Sequence, residues 1–125
     1  MSEVHVGPLT FKGGTVDLQP YRRVAFNPTL QRLEYADSGQ RSDGTLQKRF
    51  VAHNDTVAAV LPLNVTTSRK LVADDAIAAF GYFVFSDEGK ITGHDDPETA
   101  HGRLRNQSAS EDGDIVEATI FSSAI

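Results

Sequence analysis

The densest group of residues able to do chemistry is the run His94-Asp95-Asp96-Pro97-Glu98-Thr99-Ala100-His101, with two imidazoles and three carboxylates in eight positions. Imidazole and carboxylate are the donors that hold zinc and related divalent metals. The spacing matches no compact ligand motif, however, and Pro97 rules out a helix that would present both histidines on one face. The residues read as a solvated acidic loop, with a metal- or ligand-binding β-barrel using the 94–101 loop as an alternative. His5 and His53 lie far away in sequence. No serine occupies a Gly-x-Ser-x-Gly elbow. Gly13-Gly14 lacks the lysine-serine pair of a phosphate loop and the fingerprint of a dinucleotide fold. The carboxylates of Asp74-Asp75 and Glu111-Asp112-Gly113-Asp114 stand where turns want them, so no pair is singled out for acid–base work.

Composition narrows the function classes further. The chain of 125 residues has no cysteine, which excludes disulfides, zinc–thiolate centres and cysteine nucleophiles. Its formal net charge of −5 weighs against nucleic acid as a partner, because phosphate backbones want a basic surface. Arg22, Arg23, Lys48, Arg49, Arg103 and Arg105 fall on expected strands without the interleaved aromatics of a stacking platform. The longest apolar stretches, such as 57–61, are far too short to span a membrane. The start, MSEVHVGPLTF, has no basic region followed by a hydrophobic one, so no signal peptide is expected.

The elements that position these side chains read as strands. Turn signals recur about every ten residues and no long window keeps a helical period, which predicts an all-β protein: a small antiparallel barrel or sandwich. Residues 76–92, AIAAFGYFVFSDEGKIT, hold four of the ten Phe and Tyr residues, so this aromatic hairpin is the expected core seed. Phe83 and Phe85 share one face. Tyr82 and Val84 make the other face apolar too, which marks Tyr82 as a candidate contact with another layer or another subunit. Further strands are expected at 21–26, 30–36, 45–51, 56–61, 69–73, 100–108 and 115–121. The 56–61 strand is expected to be buried and apolar, with only its far end demoted to an edge by Pro62, and 76–79 to form a short helical turn capped by Asp74-Asp75.

Residues 1–20 read as an extended N-terminal arm ahead of a core domain at 21–125. Its extended pieces are about three residues long, broken by Gly7-Pro8 and Gly13-Gly14. It is either a frayed tail or an edge strand on its own domain, or an arm that adds strands to a neighbouring chain. In the second case Val4, Val6, Leu9 and Phe11 are the apolar anchors.

The order of several short motifs resembles the capsid cement, or head decoration, proteins of tailed bacteriophages. They are Glu34-Tyr35-Ala36-Asp37, then Lys70-Leu71-Val72-Ala73 with the lead-in Ala76-Ile77-Ala78-Ala79. An acidic-glycine step follows into Lys90-Ile91-Thr92, then Gly102-Arg103-Leu104, and then Ala109-Ser110-Glu111-Asp112-Gly113-Asp114-Ile115-Val116-Glu117. Thr67-Ser68-Arg69-Lys70-Leu71-Val72-Ala73 and the small-residue end Ser122-Ser123-Ala124-Ile125 are similar in kind to the lambda-type decoration protein. The resemblance implies a β-tulip or barrel core with a flexible N-terminal arm. It also implies assembly as a homotrimer on the outer surface of the expanded capsid, after synthesis in the host cytoplasm. The major capsid protein is the implied partner. No catalysis, cofactor or small-molecule substrate is implied. Tyr21, Arg22 and Arg23, near the arm's exit, join Tyr82 as candidate trimer contacts. The phenylalanine-rich run 80–85 and the insert 93–99 depart from the family pattern. Another virion component of similar architecture, a tail or spike adaptor, is the alternative within the same class.

Overall fold

The computed structural model describes residues 9–66 and 68–125. Ten strands make up almost all of the regular structure: β1 Leu9–Lys12, β2 Arg23–Asn27, β3 Arg32–Tyr35, β4 Gly44–Leu46, β5 Val57–Leu61, β6 Ser68–Val72, β7 Tyr82–Phe85, β8 Ile91–His94, β9 Gly102–Leu104 and β10 Ile115–Ile120. The only helical turns among the described residues are two three-residue 3₁₀ helices, Asp87–Gly89 and Ser122–Ala124. The fold class is therefore all-β and antiparallel, as the turn spacing predicts.

The strands form two open five-stranded sheets, ordered β1-β5-β4-β2-β3 and β6-β10-β9-β7-β8. The split follows the chain, so residues up to β5 build one lobe and those from β6 build the other. Each sheet curls around its own core. Leu18, Val24, Leu33, Leu46, Phe50, Ala58 and Val60 fill the first. Leu71, Phe83, Phe85, Ile91, Leu104, Val116 and Ile120 lead the second. In the first lobe the edge strands β1 and β3 come into contact. In the second, one parallel bridge, Ala73 to Ile91, joins the two edges. A single closed barrel is thus replaced by two strongly curled sheets. Five short strands curl until their edges meet, but the chain is divided too evenly for one sheet to take all ten.

The aromatic hairpin is the centre of the second lobe. Phe83 pairs with Gly93 on one side and Gly102 on the other, and it is fully buried. A Cβ on Gly102 would strike both the Phe83 ring and the Thr119 carbonyl, so only glycine lets β9 pass there. The expected helical turn at 76–79 does not form. Ile77 instead exchanges two backbone hydrogen bonds with Ala109, of 3.0 and 2.9 Å, and its side chain enters the core. A one-turn helix has too few bonds to compete with that pairing. β5 is an inner strand, as expected, and it ends at Leu61 with Pro62 just beyond the ladder, where a missing N–H breaks no pairing. The expected strand at 45–51 stops at Leu46, and Phe50 pairs with Leu18 instead.

Residues 9–20 belong to the first lobe. β1 pairs with β5 in the register Leu9–Val60 to Lys12–Val57, and Leu18 is in the core. Of the two readings of the N-terminal segment, the edge strand on its own domain describes 9–12. The rest of the expected arm, with Val4 and Val6, lies outside the described residues.

Candidate functional site

The two lobes meet along a polar seam, where the side chains able to do chemistry collect. From the first lobe, Arg23 on β2 is only 3% exposed. Its guanidinium donates to the carbonyls of Gln40 (3.0 Å) and Asp37 (3.1 Å) and lies 4.3 Å over the Phe85 ring of the second lobe. Its Nε is buried without a partner. Burial lowers its pKa, partly offset by Asp37, and arginine's high ordinary value keeps it cationic at neutral pH.

From the second lobe, Arg69 on β6 reaches the other way. It donates to Thr45 Oγ1 (3.0 Å) and to the carbonyls of Leu61 (2.8 Å), Pro62 (2.8 Å), Leu63 (3.2 Å) and Thr66. No carboxylate pairs with it among the described residues, and burial pulls its pKa down to about 10. A cation held by five neutral oxygens is fixed by geometry rather than by charge pairing. A planar guanidinium suits that task and an ammonium does not.

The turn at 86–89, which sequence reads as hairpin punctuation, is the third part of the seam. Asp37 Oδ1 accepts the Glu88 N–H and Asp87 Oδ1 accepts the Ser38 N–H, both at 3.0 Å, so the two acidic loops clasp each other. Gly89 donates to the Ala36 carbonyl at 2.7 Å. Its φ of +71° and the nearness of the Arg23 carbonyl leave no room for a Cβ. Arg22 donates to the Glu88 carbonyl at 2.8 Å and lies 3.5 Å over the Tyr35 ring.

These contacts revise two of the candidate trimer residues. Arg23 is buried inside the protomer and cannot face a neighbouring subunit in this conformation. The Arg22 side chain is 12% exposed and is held by Glu88 and Tyr35. Tyr21 is half-buried before β2 with φ +66°, and Lys70 Nζ lies 5.6 Å from its ring. Tyr82 sits on the outer face of the second sheet, half-buried between Phe121 and the guanidinium of Arg103, 6.3 and 5.3 Å from its ring. Leu9 and Phe11 lie in β1, where Phe11 packs on Phe26 and the first core. The structure brings Tyr21, Arg22 and Arg23 together beside the seam and leaves Tyr82 on another face.

The two histidines of the acidic loop have separate structural partners. His94 Nε2 lies 2.7 Å from Thr99 Oγ1. His101 Nδ1 accepts the Phe85 N–H at 2.8 Å, and its ring lies 4.7 Å from the Phe85 ring. Burial first, then Arg23 and His94, hold the His101 pKa below the ordinary imidazole value. Among the described residues no group of three His, Cys, Asp or Glu side chains is placed to hold a metal ion.

Beside His101 a cleft of about 560 Å³ opens between the lobes, walled by the 39–43 loop, by 62–64 and by 123–125. Sequence reasoning missed this cleft and the two stitching arginines. The signal it had was a pair of arginines flanked by apolar strand positions, Arg23 before Val24 and Arg69 two before Leu71.

No model of a known protein family matches the chain, and no curated protein matches it. Among solved structures, the fold is similar to the N base of the head fiber protein gp8.5 of bacteriophage phi29. The TM-score is 0.66 at 19% identity, over 91% of this chain and 94% of that one. The two chains share the all-β fold along nearly their whole length.

Proposed function

We propose that this chain is a structural protein of a tailed-phage head. In this reading it binds the outer surface of the expanded shell and ties neighbouring units of the major capsid protein together as a cement. The observation that carries the reading is the fold shared, over almost all of both chains, with the base of a phage head fiber. The motif order in 34–37, 70–79 and 102–117 points the same way from the sequence.

The physics of the role asks for interface and assigns no reaction. A stable interface buries on the order of 1,600 Å². A homotrimer spanning several shell subunits divides that area into individually weak contacts that act together through high effective concentration. Tyr82 and Tyr21 remain as trimer candidates, and Arg22 and Arg23 serve within the protomer. Because Leu9 and Phe11 sit in β1, the arm that reaches the shell reduces to residues 1–8, with Val4 and Val6 as anchors. The net charge of −5 keeps free protomers apart before they meet the shell.

The phi29 neighbour favours one second reading, in which the chain is the attachment base of a projecting fibre. Pelleting the purified chain with expanded heads assembled without it tests both. Co-sedimentation at micromolar protein is expected, and its absence removes both readings. Deleting residues 1–8 should leave the fold intact and weaken head binding at least tenfold, about 1.4 kcal/mol. Unchanged binding refutes the arm.

A further inference from the structure

The cleft between the lobes has a chemical asymmetry that the seam does not need. Part of its wall is apolar, with Leu63 from the connection between β5 and β6 and Phe85 from β7, both packed on the second core. The rest is bordered by Arg23, Arg41, Ser42 and His101. Ser42 Oγ and Arg23 Nε are both buried without a hydrogen-bond partner. Arg23 is also more than nine-tenths buried, so its orphaned N–H carries a real desolvation cost. Arg41 lines the same cleft, and its guanidinium makes no ion pair among the described residues. Because His101 Nδ1 accepts the Phe85 N–H, the neutral ring carries its proton on Nε2, a further donor at the cleft. The one acidic side chain in the wall, Asp43, is engaged through Oδ2 by the Phe26 N–H at 2.7 Å.

We propose that this cleft is a binding site for a carboxylate carried on an apolar body, the chemistry of a hydrophobic peptide C-terminus. Ser42, Arg23 and Arg41 take the carboxylate, and Phe85 and Leu63 receive the apolar part. A charged acceptor makes stronger hydrogen bonds to such donors than a neutral one does. Both lobes contribute to the wall, so an occupant also holds their relative placement. The site stands apart from shell binding, and the test uses the free protein.

The test is a titration of the isotope-labelled full chain, followed by amide chemical shifts. The probes are N-acetyl-Ala-Leu, its C-terminal amide, isovalerate and inorganic phosphate. The acid dipeptide is expected to give saturable shifts centred on residues 40–43 and 101, and the amide to bind at least tenfold more weakly. Isovalerate binding as tightly as the dipeptide assigns the site to small acids; weaker binding assigns it to peptide ends. Ser42→Ala and Arg41→Ala change side chains that make no hydrogen bond among the described residues, so the fold should keep its melting temperature. Each should weaken the acid dipeptide at least fivefold. Four results overturn the proposal: no saturable shift at millimolar dipeptide, equal binding of acid and amide, tighter binding of phosphate, or both variants unchanged.

Discussion

Replacing Arg69 by alanine tests whether two separately cored lobes are coupled by buried polar contacts. The wild-type guanidinium spans five acceptors, and alanine removes all five bonds and leaves a cavity where the side chain crossed from β6 to the first lobe. Thr45 is buried and Leu61 half-buried, so these two acceptors lose their partner out of reach of bulk water. Each such loss costs about 1–3 kcal/mol. The carbonyls of Pro62, Leu63 and Thr66 lie in a more exposed loop and rehydrate cheaply. Removing the cation also returns its desolvation cost, the same cost that pulls its pKa down to about 10. The net expectation is a loss of roughly 2–4 kcal/mol. At this chain length that is a drop in melting temperature of about 8–16 °C. Guanidinium unfolding followed by near-ultraviolet signals from Tyr21 and Tyr35 in one lobe and Tyr82 in the other should also separate into two transitions. Arg69→Lys should recover less than half of the loss, because an ammonium has three donors and no fork. A melting temperature within 2 °C of wild type, with one transition, would refute the reasoning.

Three further expectations follow from the seam and the core. Gly89→Ala places a Cβ against the Arg23 carbonyl at a φ of +71°, and should cost about 2–3 kcal/mol in chemical denaturation; a loss under 0.5 kcal/mol would show that the hairpin tip moves freely. The His101 pKa is lowered in the folded state, so the unfolded chain binds the extra proton first. Its contribution is complete above about pH 6.5 and fades as pH falls from there toward the lowered folded value. His101→Gln should flatten the stability profile between about pH 6.5 and 5, where most carboxylates are still ionised; an unchanged slope would exclude His101 as its source. Under the proposed homotrimer, Tyr82→Glu should leave the fold intact and give a monomer by sedimentation, whereas an intact trimer would remove Tyr82 from the contact.

Much of the strand content was legible because the signals are local. Alternation and turn residues locate β2, β3, β5, β6, β7, β8 and β10 to within a few positions. Phe83 and Phe85 are core residues as the hairpin's alternation implies. The division into two lobes was not legible, because it depends on which strand edges meet, and every strand here alternates in the same way. Arg23 and Arg69 look like ordinary solvent-facing strand residues. Only the tertiary fold shows that the opposite lobe supplies an aromatic face to one and backbone oxygens to the other. Asp87 and Glu88 lie in the turn of the expected aromatic hairpin, and Asp37 follows the expected strand at 30–36. That the two turns grip one another requires residues 51 positions apart to meet. Nearness in sequence puts His94 and His101 in one run, read as a solvated acidic loop, and the fold gives each histidine its own partner.

The most direct test of the proposed head-surface account is cryo-electron microscopy of the phage particle that this proposal assigns the chain to. The account predicts that the two-lobed fold fits density on the outside of the expanded shell, seated across contacts between neighbouring capsid subunits. Density that stops at the bound fold favours the cement reading, and density that continues outward from it favours the fibre base. A mature particle whose shell surface lacks this fold, or a chain found only in the tail, would contradict the account.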